Sequence, residues 1–453
     1  MRAFAGNRDP VDAISEAARA LVSRALDHDW HGPPFDPIEL AAIIGIELRP
    51  LADVPDARTV PAGTDAFRIE FNPNRPAGRV RYSVAHEIAH TLFPDCGDQV
   101  RHRGMHANTT RDEWQLEALC NIAAAEILMP FGSFPTADVS LVDIDRVLGL
   151  QKQFKVSTEA LLLRIVGLAP IACAVFSATR IDAGTHAGRW RVDYTVGSPS
   201  WAGDTLRGMM LPEATALESC IGVGHTDHGP ELWEQQQFDV QAVGLPPYPG
   251  TIAPRAAGFL VPVGEHQDAG VHRVKEVTGN ALEPRGDGPF IVAHVVTDKA
   301  QTWGGGGFAA AVRRTWPEVQ RDFTEWAGPF GRHLQLGTVR VCEATPGLHV
   351  ASMIAQHGYG PSRGPRIRYA ALQRCLEQVF RAAAEKRASV HMPRIGAGHG
   401  GGAWPVIRDM IATAAARWRV QTTIYRHTSA APAAEQDALF TDADGSAGPN
   451  QST

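Results

Sequence analysis

The chain has 453 residues, of which 44% are hydrophobic and 20% are charged, and its formal net charge is −6. These are ordinary values for a globular protein, and at about 150 residues per domain the length accommodates two or three domains. The charge balance has no basic excess, which argues against non-specific attraction to nucleic acid, and we expect no direct nucleic-acid partner.

The six cysteines are widely spaced and form no Cys-x-x-Cys pair, which argues against a disulfide framework and against a structural zinc knuckle. The amino-terminal sequence has no uninterrupted apolar run, and no stretch approaches the roughly 18 apolar residues that span a bilayer. We therefore expect a soluble cytoplasmic protein with reduced thiols and no membrane partner.

Residues 1–168 are predicted to form a mainly helical domain. An amphipathic helix follows Asp9-Pro10, and the alternating segment AFRIEFNPN predicts a strand ahead of a helix that contains RYSVAHEIAH. A second strongly helical run, DEWQLEALCNIAAAEILMP, ends at Pro130, and two short helices complete the region.

The texture of the sequence changes twice after this region. Residues 169–270 read as strands and turns and predict a β-rich middle domain, a sensor or a spacer. Residues 271–428 alternate strands with helices, which predicts an α/β sheet covered by helices, with ligands beyond the carboxyl ends of the strands. Residues 429–453 are small, polar and aperiodic, and predict a disordered tail. The predicted fold class is therefore multidomain, α+β followed by α/β.

The segment RYSVAHEIAH contains the first candidate site. His86 and His90 are four residues apart, so in a helix both imidazoles lie on one face and can bind a single metal ion. Glu87 lies next to that face, where it can take a proton from a water molecule that the metal has made more acidic. The alternative is a helix whose histidines only make surface hydrogen bonds.

A catalytic zinc needs a third protein ligand, and the segment TLFPDC after His90 lacks the third histidine of the metzincin pattern. Glu117 is the preferred candidate because it lies on a predicted helix whose remaining face is apolar, and helix-mounted ligands are rigid. The other residues that qualify by side-chain type are Asp95, Asp98, His102, His106, Asp112 and Glu113.

Three segments in order, VAHEIAHTLF, EALCNIAAAEILMP and FKVSTEALLLRI, resemble the ImmA/IrrE metallopeptidases, which relieve repression by cutting a repressor. The resemblance covers about residues 10–168. It implies a zincin-like fold, Zn²⁺ as cofactor, His86, His90 and Glu117 as its ligands, and Glu87 as the general acid/base. Cys120 and Asn121 are expected to pack. We see no helix-turn-helix module at the amino end, so we expect any DNA contact to be made by a partner.

Two glycine-rich segments each follow a predicted strand and precede a predicted helix: TWGGGGFAAAV, residues 302–312, and MPRIGAGHGGGAW, residues 392–404. Glycines let a backbone come close to a ligand, and the N–H groups at a helix amino terminus suit phosphate. Neither segment fits the P-loop spacing, which disfavours an ordinary nucleoside triphosphatase. Together they predict a cleft for a diphosphate.

With MIAQHG, RYAALQRCLEQV and TTIYRH, residues 271–427 resemble a macro domain, the module that binds ADP-ribose and in some members hydrolyses its derivatives. The resemblance implies a three-layer α/β/α fold with a distal ribose at the first loop, a diphosphate at the second, Tyr425 on the adenine, and Asn280 at the adenine amine. The loop residues so assigned are Gly305, Gly306, Gly307 and Phe308, and Gly396, Ala397, Gly398, His399, Gly400 and Gly401. For Tyr425 the alternative is a core tyrosine.

Where lysine-dependent ADP-ribosyl hydrolases of this fold have Lys and Asp, this sequence has Gln356 and Gly400, so recognition is favoured over turnover. Asp298 and His399 remain as candidates for activating a water molecule. The alternative for each is a binding or surface role.

The sequence predicts a zinc-dependent endopeptidase that cuts a regulatory protein, a repressor or an antitoxin-like partner, in a stress or phage-defence response, gated or targeted by ADP-ribose or an ADP-ribosylated protein. One alternative is an ADP-ribosyl hydrolase or phosphatase with the metallopeptidase-like domain as a scaffold. Another is a non-catalytic ADP-ribose-binding module.

Overall fold

The protein is described from a computed structural model. The described residues are 2–63, 66–94, 101–102, 111–134, 142–169, 171–248, 250–263, 273–300, 307–330, 333–358, 364–398 and 400–426. The chain divides into two compact units, Met1–His272 and Arg273–Thr453. Among the described residues, no helix is both long and apolar enough to cross a membrane.

The first unit begins with a helical region and a small sheet. Its helices are α1 (Arg2–Ala5), α2 (Pro10–Leu26), α3 (Pro37–Ile43), α4 (Ala77–His90), α5 (Arg111–Leu128), α6 (Ile144–Phe154) and α7 (Thr158–Leu168). Its strands are β1 (Glu47–Pro50), β2 (Ala57–Gly63), β3 (Ala66–Phe71) and β4 (Arg101–His102), in the order β1-β3-β2-β4. Only β1 and β3 pair in parallel.

Local chemistry explains where several of these helices begin. The carboxylates of Asp9 and Asp36 accept from the backbone N–H groups two residues on, and a proline follows each, which fixes the first helical residue of α2 and α3. Ser157 caps α7 in the same way, accepting from Ala160.

Helices α2, α4 and α5 pack together around one apolar cluster. Its buried residues are Ile14, Ala18, Ala89, Phe93, Leu119, Cys120 and Ala123. A buried carboxylate fastens the far end of α5: Glu126 accepts from Arg164 of α7 at 2.7 Å and from the backbone N–H of Phe131 at 2.9 Å. The two helices that carry the predicted metal ligands, α4 and α5, are thereby held side by side.

A second sheet completes the first unit. Its strands are β5 (Ala174–Arg180), β6 (Trp190–Gly197), β7 (Thr226–Trp233), β8 (Gln236–Leu245) and β9 (Arg255–Pro262), all antiparallel, in the order β6-β5-β9-β8-β7. Its largest core side chains are Phe176, Trp190, Trp233 and Phe238.

Hydrogen bonds and an ion pair join this sheet to α6 and α7. Gln241 accepts from the backbone N–H of Ile144 at 3.0 Å, and Glu159 accepts from both Tyr194 and Arg255. Helices and sheet belong to one compact unit, and the boundary at residue 168 stays a prediction.

The second unit alternates strands and helices as its sequence predicts. Its strands are β10 (Val274–Thr278), β11 (Phe290–Thr297), β12 (Val339–Thr345), β13 (Leu348–Gln356), β14 (Ser389–Pro393) and β15 (Thr422–Arg426). Its helices are α8 (Gly307–Thr315), α9 (Pro317–Ala327), α10 (Tyr369–Lys386) and α11 (Trp404–Trp418). The sheet order is β10-β15-β14-β11-β13-β12, and only β12 runs antiparallel to its neighbour.

One apolar cluster lies between β11, β13 and the helices α8 and α9, while α10 packs against β11, β13 and β14 and pairs with α11. The predicted fold class is confirmed: an α+β region, a β-rich middle segment and an α/β unit. The carboxyl ends of the parallel strands meet at one edge of the second sheet, which puts the loops that follow them side by side.

Candidate functional site

The two histidines of α4 are almost fully buried. His86 and His90 are each 1% exposed, and their ring centroids lie 5.0 Å apart, as one helical turn dictates. Helix α4 is buried without interruption from Ser83 to His90, so the rings point into the unit. Two imidazoles in a protected setting are typical of a metal centre.

Glu117 of α5 faces both rings. Its Oε2 lies 3.0 Å from Nε2 of His86, and its Oε1 lies 3.5 Å from Nε2 of His90. The three predicted ligands are therefore brought together, across 27 residues of sequence.

The donor set fits zinc. Two imidazole nitrogens and a carboxylate oxygen are the ligands of many catalytic zinc sites, and a tetrahedral ion bound at about 2.1 Å separates its ligand atoms by about 3.4 Å. The observed separations of 3.0 and 3.5 Å match that spacing. The assignment of the three residues as ligands stays a prediction.

Cys120 contacts the opposite side of His90. Its Sγ lies 3.4 Å from Nδ1 of His90, and the ligand atoms of His86, His90 and Cys120 lie within 4.8 Å of one another. A sulfur that accepts a hydrogen bond from Nδ1–H leaves the Nε2 lone pair for a metal. Cys120 is fully buried in the α2–α4–α5 cluster, which agrees with its expected packing role.

The remaining side chain of the motif, Glu87, is fully buried. Its Oε2 accepts from the hydroxyl of Thr59 at 2.8 Å, while its Oε1 has no partner among the described residues. Burial raises the pKa of Glu87 to about 7, although His86 and Thr59 act in the opposite direction. A carboxyl group with such a pKa can exchange protons near neutral pH.

Sequence reasoning missed Thr59. It lies on β2, 28 residues before Glu87, and nothing in its local sequence signals a contact with α4.

In the second unit, the loop after β14 has the backbone form of an anion site. Gly396 and Gly401 have φ values of +71° and +66°, and a Cβ on Gly400 would meet the carbonyl oxygen of Gly396 at 2.6 Å, so glycine is required. Among the described residues, the N–H groups of Ala397, Gly398 and Gly400 have no acceptor. Helix α11 begins directly after the loop without a side-chain cap. Free amides beside a helix amino terminus suit a phosphate group.

The first glycine-rich loop is described only in part. Gly305 and Gly306 lie outside the described residues, as does His399 of the second loop. Gly307 has φ +66° and begins α8, and the ring of Phe308 packs against the apolar cluster of β11 and β13. Their predicted contacts with a ribose stay predictions.

The two residues predicted at the adenine have internal partners. Tyr425 is 5% exposed, and its hydroxyl bonds to Nδ1 of His391 at 3.0 Å. Asn280 is exposed, and its carbonyl accepts from the N–H of Leu282 at 3.1 Å. The burial of Tyr425 favours the alternative that it is a core tyrosine. The bond from Leu282 to Asn280 is part of a turn. Both adenine contacts stay predictions.

Asp298 directly follows β11 and is 6% exposed. Its carboxylate accepts from the N–H of Gly358 at 2.9 Å and lies 2.7 Å from Nδ1 of His357. Burial opposes ionisation of Asp298, but these bonds outweigh it and hold its pKa below the usual value. Asp298 thus orients His357 at the loop edge of the sheet.

Comparison with known proteins agrees with both resemblances. Residues 54–166 match the model of the IrrE N-terminal-like domain, a metallopeptidase family, and this confirms the resemblance of the amino-terminal region. The matched range contains all of the predicted metal-site residues.

The chain is also similar to the chromodomain-helicase-DNA-binding protein 1-like proteins of Danio rerio, 30% identical over 163 residues, and Mus musculus, 29% identical over 168 residues. The matches cover 34% and 35% of this chain, and the chain spans only 15% and 18% of the length of these relatives.

Among solved structures, a macrodomain protein of Streptomyces coelicolor is 35% identical, with a TM-score of 0.30, and the match covers 34% of this chain and 99% of that chain. A protein of unknown function from Bacteroides thetaiotaomicron is 34% identical, with a TM-score of 0.32, covering 34% of this chain and 96% of that chain. The carboxy-terminal part is therefore similar to macrodomains, as its sequence predicts.

Proposed function

We propose that the protein is a zinc-dependent endopeptidase that cuts a regulatory protein, a repressor or partner, in a stress or phage-defence response. ADP-ribose recognition by the second unit gates the cleavage or targets it. The observation that carries the proposal is the meeting of His86, His90 and Glu117 beside the buried carboxyl group of Glu87.

A zinc ion bound here would supply Lewis acidity and lower the pKa of water toward neutrality. His86, His90 and Glu117 would hold the ion. Glu87, buried beside these three residues, would take a proton as the peptide bond is attacked and return it to the leaving amine. Because Glu87 is shielded from solvent, that proton is not lost to bulk water.

The ADP-ribose half of the proposal is supported by the loop after β14. The N–H groups of Ala397, Gly398 and Gly400, which have no acceptor within the described part of the chain and lie next to the amino terminus of α11, would donate to a diphosphate. The resemblance to macro domains implies ADP-ribose as the ligand that would carry this diphosphate.

The test compares zinc-loaded full-length protein with its Glu87→Gln variant, which keeps the side-chain volume and loses the proton acceptor. Each is incubated with a proteome-derived peptide library, and new amino termini are identified by mass spectrometry. We expect cleavage of a defined set of peptides by the wild type and none by the variant at equal zinc content. An intact library after incubation with fully zinc-loaded wild type would overturn the endopeptidase.

ADP-ribose added to the same assay separates gating from targeting. Gating predicts that free ADP-ribose changes the cleavage rate, because a ligand that binds two states unequally shifts their populations. Targeting predicts that an ADP-ribosylated peptide is cut faster than the plain peptide and that free ADP-ribose competes with it.

Asp298 and His357 favour a second candidate function, ADP-ribosyl hydrolysis with the first unit as a scaffold. The Nδ1 proton of His357 held by Asp298 leaves Nε2 as a base. Release of ADP-ribose from a modified protein, unaffected by chelators and by Glu87→Gln, would support it. Binding of zinc and ADP-ribose without any product would leave the third candidate, a binding module.

A further inference from the structure

Glu87 touches one hydroxyl group of another element, and that group is buried with it. Thr59 is 1% exposed, and its Oγ1 lies 2.8 Å from Oε2 of Glu87 and 3.1 Å from the backbone carbonyl oxygen of the same residue. Oε1 of Glu87 has no partner among the described residues. The two oxygens of one carboxyl group therefore have different surroundings.

The position of Thr59 is fixed by its strand. β2 lies between two neighbours, and Thr59 pairs with Ile69 of β3 on one side and with Arg101 of β4 on the other. A β-branched side chain on a paired strand has few rotamers. The hydroxyl is therefore a rigid anchor across from the helix that carries the metal-site motif.

A threonine hydroxyl has a single proton to donate. A hydrogen bond from this hydroxyl to an ionised carboxylate is charge-assisted, and it is stronger than a bond to a backbone carbonyl. The backbone carbonyl at 3.1 Å is a second acceptor within reach of the same hydroxyl. Both acceptors belong to Glu87, so the Thr59 hydroxyl is directed at this one residue.

We propose that Thr59 is a positioning residue that anchors Oε2 of Glu87, so that Oε1 is the oxygen that takes and returns the proton. The proposal rests on the proposed endopeptidase. Without the anchor, the carboxyl group is free to adopt several orientations, and only some of them aim an oxygen at the site. Peptide binding does not involve this bond, so its loss slows the proton-transfer steps rather than weakening binding.

Three variants test the proposal in the full-length, zinc-loaded protein. Thr59→Val removes the hydroxyl at nearly constant volume, and Thr59→Ser keeps it. Thr91→Val is the matched control, because the Thr91 hydroxyl bonds to the carbonyl of Ile88 in the same helix and does not touch Glu87. If Thr59→Val does not fold, Thr59→Ala replaces it.

The first readout needs no turnover. Infrared difference spectra between each variant and the same variant carrying Glu87→Gln isolate the carboxyl band of Glu87. We expect the band to move to higher frequency in Thr59→Val, since a hydrogen bond to Oε2 is lost, and to stay in place in Thr59→Ser and Thr91→Val. An unchanged frequency of the Glu87 carboxyl band in Thr59→Val would refute the anchoring role of Thr59, whether or not any peptide is cut.

The second readout is the cleavage of a peptide from the library test. We expect kcat to fall about tenfold or more in Thr59→Val, within the range of general acid–base effects, with KM changed less than about twofold. Thr59→Ser restores kcat, and zinc content stays equal throughout. An unchanged kcat, or a loss confined to KM, would refute the positioning role. A wild type that cuts nothing refutes the proposed function, and the infrared result still decides the anchor.

Discussion

Replacement of Glu117 by alanine should remove one of three zinc ligands and leave the fold intact. Structural zinc sites with four ligands bind with about 10–16 kcal/mol at neutral pH, which is about 2.5–4 kcal/mol for each ligand. Glu117 is 35% exposed in its side chain, so water reaches its carboxylate and the lower value applies. We expect zinc affinity to fall by about 100-fold, since each 1.4 kcal/mol is a factor of ten.

The assay is competition for zinc between the protein and a chromogenic chelator, with metal content measured in parallel. Asn121→Ala is the matched control, because Asn121 lies one turn further along α5, accepts from the hydroxyl of Tyr82 and is not expected to bind metal. We expect about one zinc per chain in wild type and control. Equal affinity in Glu117→Ala would refute the three-ligand site and shift attention to Cys120, whose sulfur also contacts His90.

Three further predictions concern stability and ligand binding. Glu126→Gln should lower the unfolding free energy of the first unit by about 3–5 kcal/mol in denaturant titrations, because it removes the buried counter-charge of Arg164, whose side chain is only 11% exposed; an effect of under about 1 kcal/mol, typical of an exposed ion pair, would contradict this. Gly400→Ala should weaken ADP-ribose binding, measured by calorimetry, far more than Gly398→Ala. A Cβ on residue 400 would meet the backbone at 2.6 Å, whereas a Cβ on residue 398 would meet nothing within 4 Å. Equal effects of the two variants would refute the loop geometry. Asp298→Asn should destabilise the second unit by about 2 kcal/mol at pH 7. Because the pKa of Asp298 is lowered by folding, the difference from wild type should disappear as pH falls through the folded pKa, below about 3.9, and a gap that persists there would contradict the reasoning.

The metal-site geometry could be anticipated because each part of it is local. The four-residue spacing of His86 and His90 fixes their common face in any helix, and the apolar face that flanks Glu117 predicts that α5 packs against a neighbouring helix. The distances of 3.0 and 3.5 Å from the Glu117 carboxylate to His86 and His90 require only that α4 and α5 be neighbours. Helix periodicity carries that information.

Contacts that depend on strand register were out of reach. Thr59 meets Glu87 only because β2 pairs with β3 in one register and lies against α4, and a shift of one residue would turn the hydroxyl to the other face. The same limit applies to Tyr425. A resemblance placed it at the end of the last strand, but its bond to His391 depends on how β14 and β15 align.

The two candidate sites are chemically independent. The residues that would hold zinc and the carboxyl group beside them all lie in Met1–His272, and the loop amides that would hold a diphosphate all lie in Arg273–Thr453. Each site has its own donors, so neither needs the other in order to bind. Gating that acts on peptide affinity therefore requires an additional coupling free energy, and linkage makes it reciprocal. A bound peptide must then raise the affinity for ADP-ribose by the same factor by which ADP-ribose raises the affinity for the peptide. Targeting requires no coupling, because an ADP-ribosyl group on the substrate raises the local concentration of the peptide through the tether alone. Targeting and gating through affinity thus differ in a measurable binding free energy, which is zero for targeting and finite for such gating, whereas gating through kcat shows itself in the cleavage rate with free ADP-ribose.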